Sequence, residues 1–251
     1  MRVAAYTGTR NLYESMIPAV KSLIMHSNVD KIYLLIEDDE FPYYIPTDIV
    51  ECINVKNQRY FPADGPNMNS RFTYMAMMRA TYAEMFPDLD RILSLDVDTI
   101  AVDDVSDIWK IDFNRGKRRE PYLLAASQEP DRTNDRDMYV NIGVAFYNLT
   151  ELRKGASRKV INVLNDRKFS FVEQDAFNMV CKDRIEDLES YYNATKFTLP
   201  TEHPKIIHFA GQKQWQDEPL YKEYMDIPWE LVMDARHDKG EIEEVNLKYY
   251  I

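Results

Sequence analysis

Asp96 and Asp98 stand two residues apart at the end of the apolar run Arg91-Ile92-Leu93-Ser94-Leu95. Alternate side chains of an extended chain share a face, so both carboxylates can converge on one point while Val97 turns into the core. Neighbouring carboxylates repel, and a hard divalent cation is the common partner of such a pair. On its own the spacing fits an Asp-rich turn capping the next helix equally well. Four other segments carry groups able to do chemistry. Asn141 and Gly143 interrupt an apolar run over 139–144, a pattern that marks close approach of a ligand or of backbone. Glu173, Gln174 and Asp175 open a helical segment, where acids either complete a cap or face a ligand. His208 closes the strand-like Lys205-Ile206-Ile207, as a metal ligand or as a hydrogen-bonded core histidine. Arg79 precedes the acidic strand on a helix, placed for a salt bridge or for an anion.

These residues need a scaffold, and the periodicity supplies one. Strands are expected over 2–7, 31–36, 50–55, 91–96, 122–126, 140–147 and 205–209. Helices are expected over 17–27, 72–85, 157–166 and 174–180, with loops over 9–13 and 58–70. Ile17, Val20, Leu23 and Ile24 give the first helix an apolar face, and Pro18 suits its first turn. Met75, Met78, Tyr82 and Met85 follow helical spacing as core filler. Asp103 and Asp104 read as helix caps. The alternation is that of an α/β fold. Beyond Trp215 the chain becomes polar, Tyr-rich and acidic, and no internal repeat or low-complexity tract is present.

With 251 residues, 45% of them hydrophobic, the chain can bury a substantial core. A formal charge of −11 argues against binding nucleic acid, which requires a Lys and Arg excess. Arg115, Lys117, Arg118 and Arg119 form a basic cluster, read here as a solvated loop. Charges interrupt every apolar stretch before the roughly 20 residues of a membrane span. The N-terminus enters a strand at once, so a cytoplasmic protein without signal peptide or membrane association is expected. Cys52 and Cys181 lack ligand spacing and read as buried free thiols. The sequons Asn148-Leu149-Thr150 and Asn193-Ala194-Thr195 are then incidental.

The ordered set Asp96-x-Asp98, Asn141-x-Gly143-Val144, Gln174-Asp175 and His208-x-x-Gly211 resembles the retaining glycosyltransferases of family eight, which include glycogenin and bacterial lipopolysaccharide galactosyltransferases. The resemblance runs from the first strand to about Trp215 and is strongest from Arg79 to Asp98. It implies a GT-A fold, a Rossmann-like, mostly parallel mixed sheet flanked by helices, over residues 1–215. Residues 216–251 would form an extension on or near the acceptor side. It also implies a UDP-sugar donor and manganese, or magnesium as second choice, held by Asp96, Asp98 and His208. An oxygen and nitrogen donor set suits manganese.

By the same resemblance, Thr7, Asn11 and Tyr13 would bind the nucleoside, with Tyr13 beside the uracil or packed as a staple on the following helix. Val97 and Gly211 would line the donor. Arg79 would reach the sugar or diphosphate, and Asn141 and Asp175 would grip sugar hydroxyls. Gln174 would face the anomeric carbon. An amide oxygen is a poor nucleophile, which favours front-face attack by the acceptor over a covalent intermediate. Glu173 could instead be the nucleophile, but an outward cap is its expected role. The segment His208-x-x-Gly211-x-Lys213-Gln214-Trp215 is one residue shorter than the family's His-x-x-Gly-x-x-Lys-Pro-Trp and lacks its proline. Lys213 either reaches the diphosphate or is a surface lysine. The expected activity is transfer of a hexose, glucose or galactose, to a hydroxyl of a glycan, lipid-linked glycan or protein. The alternatives are a UDP-sugar-binding module without turnover, or a haloacid-dehalogenase-like phosphatase suggested by Asp96-Val97-Asp98-Thr99.

Overall fold

The computed structural model describes residues 1–70, 72–116, 120–133 and 138–236. Its main sheet holds seven strands: β1 (Val3–Thr7), β2 (Lys31–Ile36), β3 (Val50–Asn54), β4 (Arg91–Leu95), β6 (Leu124–Gln128), β7 (Val140–Asn148) and β8 (Ile185–Asp187). They run in the order β3-β2-β1-β4-β7-β6-β8. β7 alone is antiparallel to its neighbours. A second, two-stranded sheet pairs β5 (Thr99–Ala101) antiparallel with β9 (Ile206–His208). The longer helices are α1 (Tyr13–Met25), α5 (Ser157–Asp166), α6 (Val172–Cys181) and α7 (Pro219–Asp226), and the single turn α4 (Leu149–Glu151) follows β7.

Helices cover both faces of the sheet, so both sets of alternating side chains are buried. Ala4, Tyr6, Leu34, Leu93, Leu95 and Phe146 pack with α1, Trp109 and α7. Val3, Ala5, Leu35, Ile92, Ala145 and Tyr147 pack with Met75, Met78, α5 and α6. This is why the strands read as continuous apolar runs.

The sequence expectations hold for most elements, with instructive departures. α1 starts at Tyr13, because a 3₁₀ turn over Arg10–Leu12 runs directly into it. Pro18 therefore lies inside the helix rather than in its first turn. The helix expected over 72–85 is broken into α2 (Tyr74–Met77), a 3₁₀ turn over Met78–Thr81 and α3 (Tyr82–Met85). Side-chain donors take several of its carbonyls: Thr81 Oγ1, within the segment, donates to Met78 O, and from outside Ser157 Oγ donates to Ala80 O and Arg153 Nε to Ala83 O. Asp104 Oδ1 accepts from the Ser106 backbone N–H in a turn before the 3₁₀ helix Ser106–Lys110. Cys181 is buried, but Cys52 is exposed on the edge strand β3, whose residues Val50-Glu51-Cys52-Ile53-Asn54 are at most half-buried.

The segment after Trp215 is more ordered than its polarity suggests. Tyr221 and Tyr224 of α7 join the α1 core, and Lys21 Nζ donates to Met225 O and Ile227 O, both at 2.7 Å. The acidic residues Asp238, Glu241, Glu243 and Glu244 lie outside the described residues, as do Lys117, Arg118 and Arg119. Arg115 is exposed and pairs with Asp112 at 3.2 Å. Among the described residues no helix is long and apolar enough to cross a membrane.

Candidate active site

The carboxyl ends of the parallel strands, where α/β sheets bind ligands, share one edge with the start of antiparallel β7. There the β6–β7 register jumps, from Ala126 opposite Ala145 to Ser127 opposite Asn141. The intervening residues 142–144 bulge towards the end of β4. The Asp96 N–H donates to Gly143 O at 2.7 Å, Thr99 Oγ1 donates to Asp96 O at 2.7 Å, and the Phe209 N–H donates to Asp98 O at 2.9 Å. These bonds fix the backbone of the acidic turn and leave both side chains facing β9.

His208 meets them there. Its Nε2 lies 3.3 Å from Asp98 Oδ1 and 3.6 Å from Asp96 Oδ2, and ligand atoms of all three residues lie within 4.8 Å of one another. Neighbouring ligands of an octahedral ion with bonds of 2.0–2.6 Å stand about 2.8–3.7 Å apart, so this spacing suits a divalent cation. His208 is buried, and its pKa is raised: burial opposes the charged ring, but Asp98 and Asp96 outweigh it. Gly143 makes the room, because a Cβ there would stand 2.1 Å from His208 Cε1.

Arg79 is only 3% exposed, not a surface residue. Its Nη1 donates to Ile142 O at 2.7 Å, its Nη2 to Asp96 Oδ1, and its Nε lies 3.8 Å from Glu173 Oε1. Burial works against the guanidinium charge, yet Asp96 and Glu173 hold it firmly protonated. The pairing occupies Asp96 Oδ1 and leaves Oδ2 facing His208.

Glu173 corrects an expectation, since it turns inward against Arg79 rather than capping outward. Burial pushes its pKa up to about 7, with Arg79 opposing and Asp96 adding to the rise. Asp175 makes the cap instead, accepting the Phe171 N–H at 2.8 Å while its other oxygen accepts from Tyr139. Between them, Gln174 Oε1 accepts from the Ile142 N–H at 3.3 Å, and Nε2 donates to Glu129 and to Tyr139 Oη, both at 3.2 Å. Just before this trio, buried Val172 has φ +35°, a geometry costing a β-branched residue about 1–3 kcal/mol.

Asn141 Nδ2 donates to Glu129 Oε1 at 2.8 Å, and Asn193 Nδ2 donates to Asn141 Oδ1 at 3.0 Å. Glu129, Tyr139 and Asn193 were missed by the sequence reading. An acid just past a parallel strand was a usable signal for Glu129, whereas Asn193 stood in an apparently incidental sequon.

The first βα loop lies beside this cluster. Thr7 ends β1, and Asn11 is exposed, its Oδ1 accepting from Thr9 Oγ1 at 2.6 Å. Tyr13 is 1% exposed, packs on Phe41, accepts the Glu37 N–H at 2.7 Å and donates to Asp38 at 3.0 Å. Val97 is buried in the α1 core. Gly211 has φ +73°, and Lys213 is exposed.

Residues 5–218 match Glycosyl transferase family 8. The glycosyltransferase GlyE of Streptococcus pneumoniae serotype 4 is 25% identical over 273 residues, spanning 95% of this chain and 64% of GlyE. The chain thus spans under two thirds of that relative's length. The GlyE crystal structure superposes with a TM-score of 0.70 at 22% identity, again over 95% of this chain and 64% of GlyE. The galactosyltransferase LgtC, solved with donor and acceptor sugar analogues, gives 0.66 at 16% identity over 90% of this chain and 97% of LgtC. Mouse xyloside xylosyltransferase 1 gives 0.60 at 12% identity over 84% of this chain and 98% of its own. These likenesses carry the GT-A fold, a mixed, mostly parallel sheet between helices. With the family match covering most of its length, the chain belongs to glycosyl transferase family 8.

Proposed function

We propose that this chain is a cytoplasmic, metal-dependent retaining hexosyltransferase that takes glucose or galactose from its UDP conjugate to a hydroxyl of a glycan, lipid-linked glycan or protein. The observation that carries the reading is the convergence of Asp96, Asp98 and His208 beside a polar cluster of Arg79, Asn141 and Gln174. Catalysis is assigned to residues 1–215, and the extension from 216 is assigned a supporting place near the acceptor side.

Asp96, Asp98 and His208 would hold the cation, manganese by the chemistry of the donor set. When bound, a divalent cation supplies positive charge to the departing diphosphate. Arg79 keeps Asp96 ionised and aimed, and Val97 and Gly211 line the donor. Thr7 and Asn11 are assigned to the nucleoside, with Tyr13, buried against Phe41, supporting their loop from behind, and Lys213 to the diphosphate as a point charge. Asn141 and Asp175 would meet sugar hydroxyls.

Gln174 faces the reacting carbon in this reading. Its oxygen already accepts one backbone N–H, which leaves an acceptor lone pair for an oxocarbenium-like centre but a weak nucleophile for covalent attack. Front-face transfer follows: the acceptor hydroxyl bonds to the anomeric carbon as UDP leaves from the same side, and its proton passes to the departing phosphate oxygen.

The test is UDP release and acceptor mass gain with a panel of UDP-sugars. Hexose transfer with UDP-glucose or UDP-galactose is expected. Gln174→Ala should keep UDP binding and slow transfer by about 10²–10³, the effect of losing one transition-state group. UDP binding without transfer to any hydroxyl acceptor would support a binding module instead.

A further inference from the structure

We infer that Asn193 is a positioning residue that fixes the tautomer and ring orientation of His208, so that the Nε2 lone pair points at the Asp96–Asp98 pair. The inference rests on the metal-site reading above and on a chain of hydrogen bonds anchored at a group with no choice of role.

That anchor is the Gly143 backbone N–H, which can only donate, and it donates to Asn141 Oδ1 at 2.9 Å. Reversing the Asn141 amide would set its NH₂ against this N–H and its oxygen against Glu129 Oε1, which accepts from Asn141 at 2.8 Å. Asn141 Oδ1 is therefore fixed. It also faces the Asn193 side chain at 3.0 Å, so the Asn193 NH₂ must point there. The Asn193 oxygen is left for His208 Nδ1, at 2.8 Å. Oxygens face both ring nitrogens, but that of Asn193 stands 2.8 Å from Nδ1 whereas Asp98 Oδ1 stands 3.3 Å from Nε2, so the proton of the neutral ring is placed on Nδ1 and its lone pair on Nε2. Metal-binding histidines are commonly oriented in this way by a partner on the other nitrogen.

Asn193 suits the task. It is fully buried. Its N–H donates to Ser190 O at 3.0 Å and its carbonyl accepts from Thr198 Oγ1 at 2.8 Å, so its backbone is held at both ends. Both ends of its amide are engaged within the fold, which explains the Asn193-Ala194-Thr195 match without a glycan.

The wild-type protein provides the first test. The chain has four histidines, so ¹⁵N-histidine labelling with long-range ¹H–¹⁵N correlation resolves each ring, with His208→Gln identifying its signals. In metal-free protein, at a pH raised until the ¹⁵N shifts show the ring to be neutral, His208 should be the Nδ1–H tautomer; the Nε2–H tautomer would overturn the inference. The second test is Mn²⁺ affinity by electron paramagnetic resonance. Asn193→Asp, as the neutral acid, keeps both an acceptor for Nδ1–H and a donor to Asn141 Oδ1 and should stay within about tenfold of wild type, while Asn193→Leu fills the space with neither and should lose about 10–100-fold. The opposite order would assign Asn193 to packing and overturn the inference. Wild-type protein that binds no Mn²⁺ would defeat the metal reading, and the tautomer would still decide the place of Asn193.

Discussion

Gly143 occupies a position where a methyl group would overlap His208: a Cβ on its backbone would stand 2.1 Å from His208 Cε1 and 2.8 Å from Asp96 Oδ2. Contacts that short force the ring or the strand to move. The glycine is thus needed for space, not for an unusual backbone angle. Gly143→Ala should fold with the same secondary structure, while Mn²⁺ affinity falls at least about tenfold, the scale of disturbing a ligand's support. Isothermal titration with Mn²⁺ and far-UV circular dichroism measure both; unchanged affinity would show that the ring need not occupy this position.

Arg79 links the helical segment to the site through Asp96 and Ile142 O. Arg79→Met keeps much of the volume and removes the charge, leaving the Ile142 carbonyl and a carboxylate without their partner. Breaking a buried pair in this way costs about 3–5 kcal/mol. The urea midpoint of metal-free protein should fall accordingly. Arg79→Lys should recover only part of the loss, since one ammonium cannot reproduce the two-pronged contact. A loss below about 1 kcal/mol would mean that solvent reaches the pair.

Burial places the Glu173 pKa at about 7, above its ordinary 4.5. The neutral acid therefore fits the fold better than the anion. Its stabilising contribution is complete below about pH 4.5 and is lost as pH rises through about 7. In metal-free protein the melting temperature of wild type should fall more steeply between about pH 5 and 8 than that of Glu173→Gln. His208, whose pKa is also raised, contributes in the same direction in both proteins. Parallel profiles would contradict the account of Glu173.

Much of the site was legible because its signals are local. Asp96 and Asp98 follow an apolar strand and Asn141 and Gly143 break another, which marks the two strand ends, although the aspartates converge from the turn after β4 rather than from an extended strand. What depended on distant partners was not legible. Ser157 and Arg153 break the 72–85 helix from more than sixty residues away. Asn193 is defined by His208 and Asn141, both far from it along the chain. Which of Glu173 and Asp175 turns inward depends on Arg79, far from both along the chain. β5 and β8 have three residues each, too few to display a period. The face of α7 is built from tyrosines, which simple apolar patterning passes over.

The central claim is that Asp96, Asp98 and His208 hold a divalent cation on which donor binding depends. Calorimetric titration of UDP into the protein, with Mn²⁺ and with EDTA, and into Asp98→Asn, tests it most directly. The account predicts UDP binding with Mn²⁺ to wild type only, with at least about a tenfold loss in EDTA and in the variant. Equal UDP affinity with and without Mn²⁺, or in Asp98→Asn, would contradict it.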